Sequence, residues 1–328
     1  MSTEPALTAP WQHLERLIAR DARVLVPVLG SGFVTQAAAA GASALNLERP
    51  RPVDWPALLD GVAAEFACAP HAAQRLAIPG QTTLLWDAMV TELTARHGLK
   101  GPAAHGWERK LRRSVARRLR EDDSTVALAR PFVEAFLGRG YADVMSFNFD
   151  NVLLPEGASP KPRVRGKSTR ASLAATRGTT TLWYPHGHLV DPDSIVLGAH
   201  AYGSRIAAMQ AAFDAHARRP VPRPSTNLDT WVATMLERPL LFIGLSLTRE
   251  EWTLWWLLAQ RARFLARRPE RKRPPAFIFA RQPAPSERPE ALAAWDTLAR
   301  TAELLGLTLL EFTDFGAGWK KLQGTLRW

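Results

Sequence analysis

Four short apolar runs in this chain end in glycine or polar side chains, and that repeated ending restricts the fold more than any other feature. "RVLVPVLGSGF" carries a buried-strand pattern over Val24–Leu29 and then a turn at Gly30 and Gly32. "YADVMSFNFDNVLL" gives a strand over Asp143–Phe147, followed by Asn148 and Asp150, with a small helix expected from Asn151. "TTTLWYPHGHL" reads as a strand ending at Pro185 and His186, and "RPLLFIGLSL" as a strand over Leu240–Ile243 that runs into a Gly-Leu-Ser-Leu turn. Continuous apolar runs of this length suit strands covered on both faces. "PPAFIFA" and "GLTLLEF" add two more. Between the strands, apolar residues at three-and-four spacing mark helices. The alternation predicts an α/β fold, a mostly parallel sheet with helices on both faces. In such sheets ligands bind beyond the carboxyl ends of the strands, at a topological switch point.

The helical segments define the expected organisation. "LERLIAR", Leu14–Arg20, is an amphipathic first helix. From Val34 to about Arg120, "DWPALLDGVAAEFA", "TTLLWDAMVTELTARHG" and "WERKLRRSVARRLRE" repeat the helical pattern, with Asp54 and Thr82 or Thr83 as candidate N-caps. This predicts a helical insertion over 36–125 in a core made of 1–35 and 126–328. "TVALARPFVEAFLGRG" is a further helix that stops near Gly138 or Gly140. The polar, basic, Pro- and Gly-rich stretch from Asn151 to Gly178 reads as a long loop. After the Gly-Leu-Ser-Leu turn a long helix follows, with Trp252, Trp255 and Trp256 at helical spacing as core or interface residues.

Composition excludes several classes. The 328 residues are 46% apolar, enough for a sizeable core, yet no run of eighteen apolar residues suggests a membrane span. The N-terminus lacks a cationic start followed by an apolar run, so a secretory signal is not expected and a cytoplasmic location fits best. Cys68 is the only cysteine, which rules out intrachain disulfides and any zinc site built on several thiolates. The formal charge of +11 fits an anionic partner. It also fits a coding bias toward Ala, Arg and Pro, and Arg-rich runs such as "KLRRSVARRLR" are most often solvated helix faces.

Each strand end has its own chemistry. Glycines at Gly30 and Gly32 let backbone amides approach a phosphate at a helix amino terminus, or simply make a strand–helix turn. Asn148 offers both a donor and an acceptor to a sugar hydroxyl or a water. Asp150 either orients neighbours or caps the following helix. His186, held between a proline and a glycine, can exchange a proton near neutral pH, or be a histidine satisfied by backbone. His188 reads as a packing residue, and no further ligands lie nearby to suggest a metal. Ser246 and the adjacent amides either bind an anion or ribose, or cap the long helix.

In sequence and in order, "VPVLGSGF", "MSFNFDNVL", "YPHGHL" and "LFIGLSLTREEWTLWWLL" resemble the four signatures of the Sir2 (sirtuin-like) fold, whose core is Rossmann-like. The family's four-cysteine zinc ribbon and its G-I-P-D-F-R segment are missing. The resemblance is therefore to bacterial Sir2-like NADase effectors of antiphage defence, which hydrolyse NAD+ to nicotinamide and ADP-ribose in abortive infection. It implies NAD as substrate and no zinc. It implies a homo-oligomer switched on by a protein partner such as a HerA-type ATPase or a short Argonaute, with nucleic acid involved only through that partner. On this resemblance Gly30, Ser31, Gly32 and Phe33 would cradle the pyrophosphate and close over the nicotinamide ribose. Asn148 would hold that ribose and a water, with Asp150 in support, and His186 would be the general base. Gly244, Ser246 and Leu247 would line the adenosine side. The competing expectations are a catalytically silent NAD or ADP-ribose sensor of the same fold and, disfavoured by the missing cysteines, an NAD-dependent protein deacylase.

Overall fold

A computed structural model describes residues 9–48, 55–68, 82–98, 102–120, 123–163, 171–218, 228–245, 247 and 251–328. The helices in chain order are α1 (Ala9–Asp21), α2 (Ser31–Ala44), α3 (Trp55–Glu65), α4 (Thr82–Arg96), α5 (Pro102–Arg120), α6 (Asp123–Leu137), α7 (Ala199–Ala217), α8 (Trp231–Glu237), α9 (Trp252–Ala266), α10 (Pro289–Leu304) and α11 (Phe315–Leu326). The strands are β1 (Val26–Leu29), β2 (Asp143–Ser146), β3 (Lys161–Pro162), β4 (Leu173–Arg177), β5 (Thr180–Trp183), β6 (Leu240–Ile243), β7 (Ala276–Arg281) and β8 (Thr308–Phe312).

All eight strands form one sheet in the order β3-β4-β5-β2-β1-β6-β7-β8. From β5 to β8 every neighbouring pair is parallel; β3 and β4 join antiparallel at one edge. The expected α/β, mostly parallel architecture is what the chain adopts. From β1 the chain builds outward through β2 and β5 on one side, then crosses to β6, β7 and β8 on the other. The switch point therefore lies at β1, where adjoining crossovers leave opposite faces of the sheet.

Two-residue alternation sorts the core onto those faces. Leu29, Val144, Leu182, Leu241, Ile243, Phe277 and Phe279 point to one side, where α1, α2, α6 and α11 cover them with Trp11, Phe33, Phe136 and Trp319. Val26, Val28, Met145, Trp183, Leu240, Phe242 and Ile278 point to the other, under Met209, Trp231, Met235 and Leu257 of α7, α8 and α9. A third cluster belongs to α3, α4 and α5 (Leu59, Val62, Trp86, Met89, Leu93, Leu111 and Val115). It extends onto Phe149, Leu189, Ile195 and Leu197, which follow β2 and β5. Among the described residues no helix is long and apolar enough to cross a membrane.

Three local expectations are corrected. The first strand starts at Val26 because Ala22–Val24 forms a 3-10 turn, with the Asp21 carboxylate accepting from the Arg23 amide at 3.0 Å. No helix starts at Asn151: the Asp150 carboxylate accepts from the Val152 amide at 3.0 Å, the Leu154 amide turns back to the Asn151 carbonyl, and Pro155 follows. The stretch read as a loop to Gly178 contains β4, which folds back on β5 through Gly178 at φ +56°. Its small residues Ala174 and Ala175 are poor strand signals, and they are recruited by pairing with Trp183 and Leu182. Asp54 lies outside the described residues, as does the side chain of Thr82.

Candidate functional site

Because β5, β2, β1 and β6 are adjacent and parallel, the segments after them emerge along one edge of the sheet. That edge holds Gly30–Gly32, Asn148–Asp150, Pro185–His188, Gly244, Leu245 and Leu247. The fold thus brings to one edge of the sheet groups that are far apart in sequence.

The glycine turn is locked to the loop after β6. The Gly30 amide donates to the Ile243 carbonyl at 3.0 Å, the Gly32 amide to the Gly244 carbonyl at 3.1 Å, and the Phe33 amide to the Gly30 carbonyl at 3.0 Å. Gly244 sits at φ +71°, and a methyl group on it would overlap the Phe33 amide nitrogen and the Gly32 backbone. Side chains at Gly30 or Gly32 would in turn collide with Gly244. These glycines let two backbones touch. The result differs from an open phosphate cradle, since the amides of Gly32 and Phe33 are used within the chain. What faces outward is the exposed Ser31 and the first turn of α2, whose dipole favours an anion.

Phe33 is fully buried, with its ring among Phe136, Trp319 and Trp328. The structure places it in the core and not at that edge. Leu247 is also buried, at φ +48°, and its carbonyl accepts from the Trp255 indole at 3.1 Å. Ser246 lies outside the described residues.

Asn148 is fixed by a turn in which its amide donates to the Ser146 hydroxyl at 3.2 Å. Its side-chain Nδ2 is buried without a hydrogen-bond partner. Asp150 caps the Val152 amide, and burial pushes its carboxyl up to about 6 despite the backbone donors of Val152 and Asp150 itself.

His186 is 4% exposed, ringed by Phe147 at 4.8 Å, Tyr202 at 5.6 Å and Phe149 at 6.5 Å between centroids. Burial, and after it the nearby Arg205 charge, pulls its imidazole down to about 3, against a hydrogen bond to the Phe147 backbone. Nε2 is buried and has no partner, so that bond falls to Nδ1. The ring is then the neutral tautomer with the Nε2 lone pair available. Gly187, at φ +92°, makes this possible: any side chain there would overlap the Ser194 carbonyl, while the Val196 amide donates to the His186 carbonyl at 2.8 Å. His188 packs edge-on against Tyr184 at 4.7 Å, and its Nδ1 accepts from the Val190 amide at 3.2 Å. Burial holds it down to about 4. Among the described residues no group of three or more His, Cys, Asp or Glu side chains could hold a metal ion.

Sequence reasoning missed the helix that covers His186. Tyr202 and Arg205 lie one turn apart on α7 and both are buried. The available signal was an arginine inside an apolar stripe, in register with Tyr202, Met209 and Ala212. Trp252, at the start of α9, stacks on Tyr202 at 5.8 Å.

Residues 143–299 match the family model of the SIR2-like domain, which spans the Asn148, His186 and Gly244 segments together with α7 and α9. SIR2-like domains use NAD. No curated protein matches the chain.

Proposed function

We propose that the chain is an NAD+ hydrolase that splits NAD+ into nicotinamide and ADP-ribose, and that it serves as the NAD+-depleting effector of an antiphage defence system. The observation that carries the reading is that Asn148 Nδ2 and His186 Nε2 are among the buried polar atoms left without a hydrogen-bond partner at this strand edge, which also include His188 Nε2. Buried polar groups are nearly always paired, so an unpaired donor and acceptor at one sheet edge suit a ligand that supplies both partners. A ribose hydroxyl or an attacking water does so. This edge includes the switch point beside the amino terminus of α2, a placement suited to a dinucleotide with its pyrophosphate on the helix end.

The chemistry needed is modest. Breaking the N-glycosidic bond builds positive charge on the ribose while nicotinamide departs neutral, so little acid catalysis is required. Asn148 would orient the ribose and a water. His186, kept proton-free at neutral pH by its surroundings, would accept the proton at Nε2. Positioning and proton transfer are the two contributions asked of this site. Two phosphates brought near would offset the Arg205 charge and raise the basicity of His186.

The closed glycine turn supports activation in trans. Using the Gly32 and Phe33 amides on a pyrophosphate requires releasing them from Gly244 and Gly30. A protein partner, a HerA-type ATPase or a short Argonaute, or self-assembly of the chain, would supply that change and raise a basal rate that the purified chain would already show. A protein deacylase is disfavoured by the single cysteine. Incubation with NAD+, with and without an acetyl-lysine peptide, separates the readings. Equal amounts of nicotinamide and ADP-ribose formed without peptide are expected. NAD+ loss that depends on the peptide and yields an O-acetylated ADP-ribose would overturn the assignment.

A further inference from the structure

α7 bears on His186 through two side chains. The Tyr202 ring meets the imidazole edge-on, and the Arg205 guanidinium donates to the Ser194 carbonyl at 3.5 Å, the same carbonyl that packs against Gly187. The position of this helix therefore sets the position of the imidazole. Its amino end has no cap from its own segment, since the N-cap residue is Gly198. The cap comes from elsewhere: the Asp87 carboxylate on α4 accepts from the Ala199 amide at 2.7 Å, across 112 residues of chain. It accepts from the His200 amide as well. The contact is tight, because a side chain on Gly198 would collide with Asp87 and Trp86. The carboxylate is partly buried, and that burial raises its pKa above the usual carboxylate value, with the two backbone donors opposing.

We propose that Asp87 is a positioning residue for His186, acting through the first turn of α7. The inference rests on the reading of His186 as the base. A second link runs in parallel: the Arg120 guanidinium at the end of α5 donates to the Leu189 carbonyl, just past the His186 turn. The α3–α5 cluster thus contacts the His186 segment at Leu189 and the covering helix at Ala199, and Asp87 holds the helix that carries Tyr202 and Arg205. The groups facing His186 are Arg205 and Tyr202 from α7 and the Phe147 carbonyl, with Phe149 beyond it, from the β2 end.

The test compares Asp87→Ala, Asp87→Asn and Glu65→Gln in the full chain. Glu65 links α3 to Ser114 and Arg117 on α5 at 2.6 and 2.5 Å, so its loss loosens the same helical cluster without touching α7. Two readouts are taken: steady-state NAD+ hydrolysis, and the His186 ring signals in NMR, assigned by their loss in His186→Ala. Asp87→Ala is expected to lower kcat about tenfold or more with KM within about twofold, as small misplacements of a catalytic group do. It should also move the His186 ring protons away from their Phe147- and Tyr202-shifted positions. Asp87→Asn keeps one acceptor oxygen and should stay within about threefold of wild type. Wild-type kcat and unmoved His186 signals in Asp87→Ala would overturn the proposal. So would equal loss of activity in Glu65→Gln at equal loss of stability. Should the wild-type chain fail to hydrolyse NAD+, the functional reading falls, and the His186 signals still decide whether Asp87 positions the ring.

Discussion

At the scale of single residues, the candidate site holds two groups whose pKa values burial shifts far from the ordinary ones. His186 is held down to about 3 and Asp150 up to about 6, in both cases chiefly by burial. The two act on stability with opposite signs. A histidine that stays neutral when folded but takes a proton near 6.5 when unfolded stabilises fully above that value, and the stabilisation is lost as pH falls toward 3. A carboxyl that keeps its proton up to about 6 when folded, but ionises near 3.8 when unfolded, stabilises at acid pH and loses that contribution as pH rises through 6. Asp150→Asn removes the second contribution. Its stability relative to wild type is therefore expected to be more favourable at pH 7 than at pH 4, by about 2 kcal/mol. Urea unfolding of both proteins at the two pH values measures this. An equal difference at both would place the Asp150 carboxyl in water.

At the scale of elements, the loops after β1 and β6 form one object, joined by backbone contact at Gly244. Gly244→Ala must push a methyl group into the Phe33 amide and carry an unfavourable positive φ, so a loss of about 2 kcal/mol or more is expected. Nucleotide binding should weaken as well, because the first turn of α2 shifts with Phe33. Thermal unfolding together with calorimetric titration of ADP-ribose tests both, and wild-type behaviour in both would mean that the two loops move independently. The elements themselves were unevenly legible. β6, β7 and β8 announced themselves in the sequence through their short apolar runs. β4 did not, since a strand of small residues near the sheet edge takes its structure from its neighbour β5. The helix expected at Asn151 failed because Asp150 satisfies the Val152 amide in a tight turn and Pro155 stops propagation. In "AHAYGSRIAAMQ" the arginine within an apolar stripe marks a buried face of α7, but that this face lies across His186 follows only from the tertiary packing.

At the scale of the molecule, the sheet order turns four separate strand ends into one edge, and the α3–α5 cluster joins that edge through Phe149, Leu189 and Asp87. The placement of Asn148, Asp150 and His186 was readable because an apolar run that stops abruptly at polar residues marks where a buried strand leaves the sheet. The inward turn of Phe33 was not, since its burial depends on Phe136, Trp319 and Trp328, all distant in sequence. On the function proposed above, this edge turns over NAD+ through His186. The most direct test follows NAD+ consumption with product identification for the purified chain beside His186→Ala, with ADP-ribose titrated into both. Nicotinamide and ADP-ribose are expected from the wild type, with a rate lower by about 10²- to 10⁴-fold in the variant and ADP-ribose bound by each. Equal hydrolysis by the two proteins, or a wild-type chain that neither binds nor consumes the dinucleotide, would contradict that reading.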